Sequence, residues 1–317
     1  MSVPAPRRRW PLLVALLAAI AVLAAACGSD GGTDEEAEAS AGEATATVLH
    51  IGAIPDQEPE RLQRTYGLLS DYLAAELDVE VEYVPVTEYQ AAVTAFRVGD
   101  LDTVWFGGLT GVQARLEVEG ATAIAQRDID EEFTSVFIAN TAAGIEPIDD
   151  VAGLAVIEGR SFTFGSESST SGRLMPQSFL NDAGLDIAES FAGEPGFSGS
   201  HDATIEVVEA GTFEVGALNS QVWDARVAEG AVDTEQVVEI FRTPTYFDYH
   251  WVAQPGLDDR FGDGFGDRLV DALTSLDPGD PEQAEILELF GAGSFVVTDN
   301  TNYAAIEAVG REAGLIR

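Results

Sequence analysis

The sequence predicts an α/β fold with mostly parallel sheets, and two patterns carry that expectation. From residue 47 to the end, short apolar runs of strand length alternate with stretches that keep one apolar face. The loops between them are dominated by glycines, aromatics and neutral hydrogen-bonding groups. About 270 residues lie in this part, enough for one large domain or two smaller ones.

Taken in order, strand-like runs occupy 47–54 (Thr-Val-Leu-His-Ile-Gly-Ala-Ile), 79–86, 102–106, 133–139, 161–165, 214–218, 237–242 and 250–253. Between the first two, Leu62, Tyr66, Leu69, Leu73 and Leu77 keep a three-four spacing, which marks a helix with one buried face. Residues 91–98, 109–119 and 203–210 read similarly. In open α/β sheets, ligands sit beyond the carboxyl ends of strands, where loops lead into helices. Those loops are Pro55-Asp56-Gln57-Glu58-Pro59, Trp105-Phe106-Gly107-Gly108, a hydroxyl-rich run at 166–172, Phe197-Ser198-Gly199-Ser200-His201-Asp202, Asn219-Ser220, and Thr245-Tyr246-Phe247-Asp248-Tyr249-His250-Trp251. A cleft walled by aromatics and floored by dipoles suits a small polar ligand.

The hydroxyl-rich run, Ser166-Glu167-Ser168-Ser169-Thr170-Ser171-Gly172, follows the strand at 161–165 and precedes a helical stretch from Arg173 to Leu180. Hydroxyls at a helix start cap orphan N–H groups and leave neutral donors in front of a partly positive terminus, a setting for a small anion. The plain alternative is an ordinary cap, which needs a single hydroxyl.

Composition constrains how an anion could be held. The chain has 16 Lys+Arg, none of them lysine, against 55 Asp+Glu, and a formal charge of −39. Such a field repels anions at long range and excludes nucleic acid as a partner. Capture must rest on local, desolvated dipoles. The charge itself reads as a solubility device.

The N-terminus combines Arg7, Arg8 and Arg9 with an acid-free apolar stretch from Trp10 to Ala26, then the single cysteine, Cys27. That pattern is a secretory signal rather than a spanning helix. It resembles a bacterial lipobox, which implies lipidation of Cys27 and export to the outer face of the membrane. Ala24 stands third before the cysteine, where leucine is usual, and Leu23 lies one further back. Arg7-Arg8-Arg9-Trp10 leaves the twin-arginine route open beside the general one. Loss of residues 1–26 removes three arginines and no acid, taking the charge from −39 to −42. Residues 28–46, without a large apolar side chain, form a flexible acidic tether.

Several segments together, Ser168-Ser169-Thr170-Ser171-Gly172, Gly199-Ser200-His201-Asp202-Ala203 and Val104-Trp105-Phe106-Gly107, resemble the substrate-binding proteins of phosphate, phosphite and phosphonate ABC transporters. The resemblance covers most of residues 47–310. It implies a type II periplasmic-binding-protein-like fold: two α/β lobes with a ligand cleft between them and two hinge crossings. Lobe 1 is expected over 47–136 plus 251–317, and lobe 2 over 137–250. The family pattern implies that Ser169, Thr170 and Ser171 hold the oxyanion, that His201 donates to it, and that Phe106 lines the pocket. The departure is Gly108, where the family usually has proline. Other stretches, among them Ile54-Pro55-Asp56 and Tyr246-Phe247-Asp248-Tyr249-His250-Trp251, look closer to a branch associated with selenate transport. The implied protein is a monomeric, lipid-anchored solute-binding protein that delivers its ligand to a permease, with no cofactor, no metal and no catalysis.

Chemistry can separate the candidate ligands. Phosphate, phosphite and phosphonates can carry a proton at neutral pH, and a buried carboxylate can accept it. Selenate and sulfate are fully ionised, so a carboxylate in the pocket repels them. Asp202 and Asp248 are the candidate acceptors, with Asp202 as a cap of its own helix the alternative, and Tyr246 is the aromatic placed near the ligand. His201 read without the resemblance is a helix-start histidine bonded to backbone; Arg173, just after Gly172, is read as an exposed partner for acids, with added charge at the anion site the alternative. A serine-hydrolase reading would use Ser169 or Ser171 with His201 and Asp202, though no Gly-x-Ser-x-Gly elbow is present. A ligand-sensing lipoprotein of the same fold is the other rival. Three histidines at 50, 201 and 250 show no metal-ligand spacing.

Overall fold

The computed structural model describes residues 47–317; the expected signal segment, Cys27 and the tether lie outside the described residues. The chain runs β1 (Val48–Ala53), α1 (Pro59–Leu77), β2 (Glu80–Tyr83), α2 (Tyr89–Val98), β3 (Thr103–Phe106), α3 (Gly108–Glu117) and β4 (Thr122–Arg127). A first crossing leads to β5 (Ser135–Asn140), β6 (Phe162–Phe164), α4 (Met175–Asp182), β7 (Gly196–Phe197), α5 (His201–Glu209), β8 (Val215–Asn219), α6 (Ser220–Ala228) and β9 (Val237–Arg242). The return crossing enters β10 (His250–Ala253), followed by α7 (Leu257–Phe261), α8 (Phe265–Thr274), α9 (Pro281–Phe290), β11 (Phe295–Val297) and α10 (Ala304–Glu312).

Two sheets result, each the centre of one α/β lobe. The first has six strands in the order β11-β4-β10-β3-β1-β2, and the second five in the order β7-β6-β8-β5-β9. Both are mixed, not mostly parallel as expected. The β1–β2, β1–β3, β6–β7 and β6–β8 pairs are parallel, whereas β10 runs against β3 and β4, β11 against β4, and β5 against β8 and β9. The reason is topological: β5 and β10 are the first strands after each crossing, and each enters its sheet from the crossing side. Ser135 and Val136 pair in the second sheet and His250 in the first, so the expected lobe edges fall one or two residues inside those strands.

Local sequence explains the elements that frame the cleft. Helix α1 buries Leu62, Tyr66, Leu69, Leu73 and Leu77, the stripe that the spacing marked. Strands β3 and β10 are buried along their whole length, as strands covered on both faces require. Beneath the crossings, Trp105, Tyr249, Trp251, Phe290 and Phe295 interlock by stacked, tilted and edge-on contacts. β4 escaped notice in the sequence because Thr-Ala-Ile-Ala-Gln-Arg is built of small and polar residues. Among the described residues, no helix is long and apolar enough to cross a membrane.

Candidate functional site

The hydroxyl-rich run forms a cap and a widened first turn. Ser169 is the N-cap, its Oγ accepting from Gly172 N at 2.9 Å. Thr170–Leu174 then make a π turn that runs into α4, the kind of irregular turn that tends to occur at functional sites. Gly172 fits tightly here, since a Cβ would stand 3.0 Å from Ser169 Oγ and 3.2 Å from the His201 ring.

This turn is pressed against lobe 1. Helix α3 starts at Gly107 without a side-chain cap of its own. Its first two N–H groups are taken from elsewhere: Gly108 N donates to Asp248 Oδ1 and Leu109 N to Thr170 Oγ1, both at 2.9 Å. Gln90 Nε2 reaches Ser168 Oγ at 2.8 Å. The lobes are therefore closed on one another, and Ser169, Thr170, Ser171, Tyr89, Asp56 and Asp248 are all buried between them.

Three buried polar atoms at this junction have no protein partner: the Ser171 hydroxyl, the Tyr89 hydroxyl and Asp248 Oδ2. Tyr89 lies beside Ser169 and feels the charges of Asp56 and Asp248. Two hydroxyl donors and one carboxylate oxygen are thus hydrogen-bonding capacity that the protein itself leaves unused.

The carboxyls are unusual. Burial pushes Asp248 up to about 7, against the opposing pull of the Gly108 N–H. Burial likewise pushes Asp56 up to about 6, offset by the Tyr249 hydroxyl and the Arg127 charge. Arg127 itself is buried and bidentate to Asp130, with Nη2–Oδ1 at 2.7 Å and Nε–Oδ2 at 2.8 Å, and it packs over the rings of Tyr249, Phe133 and Trp105. The pair is a neutral floor for the cleft, not a cationic one.

Several expected contacts are placed otherwise. His201 is buried with both nitrogens engaged: Nδ1 accepts from Asn219 N at 3.3 Å, which leaves Nε2 to donate to the Tyr249 hydroxyl at 3.1 Å. Burial drives its pKa down to about 3, so the ring is neutral and orients Tyr249 instead of donating to an anion. Asp202 does not cap its own helix, a role filled by Ser200. Its Oδ2 accepts from Glu58 N at 2.9 Å and its Oδ1 from Arg226 Nε at 2.7 Å, which makes it a strut between lobes. The Tyr246 hydroxyl bonds Ser135 Oγ at 2.6 Å, and Ser135 donates to Ser171 O at 2.7 Å, so Tyr246 braces the turn from behind. Phe106 packs edge-on to Phe96 in the lobe-1 core, and its neighbours Gly107 and Gly108 reach the cleft in its place. Arg173 is buried, not exposed.

The hydrolase triad is not assembled, because His201 and Asp202 each spend their polar atoms on other partners. Tyr89, Asp56 and Tyr249 were missed as cleft residues. Asp56 and Tyr249 stood in loops already marked by position, but Tyr89 opens a helix and carried no local signal.

The family model for the periplasmic substrate-binding protein of phosphonate ABC transporters matches residues 51–303. The probable ABC transporter phosphite-binding protein PhnD1 of Prochlorococcus marinus is 48% identical over 270 residues, covering 85% of this chain and 91% of the relative. The structure of PhnD1 in complex with methylphosphonate superposes with a TM-score of 0.83, covering 85% of this chain and 99% of that one. A phosphate-import protein of Mycolicibacterium smegmatis is 24% identical, with 82% and 78% of the two chains covered. By this family match and the 48% identity over most of both chains, the chain belongs to the family of periplasmic substrate-binding proteins of phosphonate ABC transporters.

Proposed function

We propose that this protein captures a small, protonated phosphorus oxyanion, phosphite or a short phosphonate such as methylphosphonate, and presents it to a membrane permease. Asp248 carries the reading. Its Oδ1 is held by the Gly108 N–H while its buried Oδ2 has no protein partner, as the hydroxyls of Ser171 and Tyr89 have none. A ligand proton satisfies that oxygen, and the hydroxyls with Ser169 and Thr170 serve the ligand's remaining oxygens. Above about pH 7, where Asp248 is ionised, selenate and sulfate bring no proton and would leave two negative groups facing each other in a desolvated space. The 48% identity to a phosphite-binding protein with a known methylphosphonate complex supports the same class.

Binding works by selection of the closed state. The anion makes its contacts only when lobe 2 meets lobe 1, so it stabilises closure by that difference. Cys27 serves as a lipid anchor after export, and residues 28–46 tether the body to the membrane. Substitution of Cys27 by serine should move the protein from the membrane fraction to the soluble one.

Calorimetric titration of residues 47–317 with phosphite, methylphosphonate, phosphate, sulfate and selenate tests the ligand class. Binding of phosphorus oxyanions with sulfate and selenate silent is expected. Preference for selenate or sulfate would overturn the role given to Asp248.

A further inference from the structure

Two arginines are buried among the described residues, and they differ in one respect. Arg127 is paired with Asp130. Arg173 has no carboxylate within ion-pair distance among the described residues; its Nη1 meets the neutral Gln177 Oε1, and its guanidinium lies over the rings of Phe164, at 4.4 Å, and Phe197, at 5.4 Å. Exposed Glu167 is the acid whose field reaches it. In a chain with 55 acids, one buried cation has no anion beside it among the described residues. Burying an unpaired charge is costly, and such groups ordinarily find a counter-ion.

Position supplies the candidate. Arg173 belongs to the π turn Thr170–Leu174 itself, directly after Gly172 and two residues beyond Ser171, whose hydroxyl has no protein partner. We propose that Arg173 is the counter-charge of the bound oxyanion, held behind the turn by Phe164 and Phe197 and acting through the turn's hydroxyls and peptide groups without touching the ligand. The arrangement resolves how an acidic protein holds an anion: the hydroxyls give geometry, and one hidden guanidinium gives sign. Kept off the ligand, the charge favours binding while leaving release to depend on reopening alone. It is a positioning residue for affinity, and it rests on the oxyanion reading above.

The test compares wild type, Arg173→Met and Arg173→Lys in residues 47–317. Thermal melts without ligand and calorimetric titration with phosphite and methylphosphonate are the readouts. Methionine fills the slot between the two rings without charge, and lysine restores the charge. Arg173→Met is expected to weaken anion binding about tenfold or more, while its melting temperature without ligand stays level or rises. Arg173→Lys, which keeps the charge but not the flat stacking group, should retain part of the affinity that Arg173→Met loses. A packing role would show the reverse, a lower melting temperature with anion affinity intact, and would overturn the proposal. Equal loss in the lysine and methionine variants would also overturn it. Wild type silent toward every oxyanion would instead sink the ligand class on which it rests, whereas wild-type binding matched by Arg173→Met would sink the counter-charge alone.

Discussion

Asp202 in lobe 2 caps a helix of lobe 1: its Oδ2 accepts from Glu58 N, at the start of α1, at 2.9 Å. That helix has no side-chain cap of its own. Arg226 joins the same point, bonding Asp202 at 2.7 Å and Glu58 Oε2 at 2.9 Å. Closure therefore supplies a cap that the open state lacks. Asp202→Ala should lower the closed population and weaken apparent ligand affinity about tenfold without altering the pocket, since apparent affinity scales with the competent fraction. Stopped-flow dissociation should show the loss mainly as faster release; unchanged release would assign Asp202 to lobe 2 alone.

Thr170 does the same for α3 by accepting from Leu109 N. Thr170→Val keeps the shape and leaves that N–H buried and unpaired in the closed form, at a cost of about 1–3 kcal/mol. Ligand affinity should fall accordingly, and thermal unfolding without ligand should change less than affinity does.

Gly108 tests the link between backbone and charge. Proline is accepted at the first position of a helix, so Gly108→Pro should leave α3 in place while removing the N–H that Asp248 Oδ1 uses. Gly108→Ala keeps that donor, with its Cβ 3.3 Å from Phe247 O. Urea unfolding of the proline variant should show a deficit of about 1–3 kcal/mol at pH 8 and a smaller one at pH 5, where Asp248 carries its proton in both proteins.

Asp248 also sets a pH dependence. Burial raises its pKa from 3.8 to about 7. Between those values the unfolded chain has lost this proton and the folded protein keeps it, so unfolding releases a proton and stability falls as pH rises through the window. The contribution reaches up to about 4 kcal/mol between about pH 4 and pH 7. Asp248→Asn should remove it, so that wild type minus variant slopes downward with pH. A flat difference would mean that Asp248 is ionised throughout. The same variant should lose phosphite binding, because its Oδ1 is held by the Gly108 N–H and its Nδ2 presents a donor to the ligand's proton.

Strand and helix alternation, the apolar stripe of α1 and the helix cap at Ser169 were legible in the sequence because each is local or periodic, whereas the two-lobed plan was implied by the family resemblance. Side chains at three-four spacing bury one face wherever α1 sits, and a run of hydroxyls before a helix caps it in almost any context. What the tertiary structure alone decided are contacts between residues far apart in the chain. His201 meets Tyr249 and Asn219; Asp202 meets Glu58; Tyr89 arrives beside Ser169; and Arg173 is buried on Gln177 with no carboxylate beside it among the described residues. No spacing encodes these pairings. Closure decides which polar atoms are satisfied by protein and which are left for an anion, and burial rather than residue type sets whether Asp248, Asp56 and His201 carry charge.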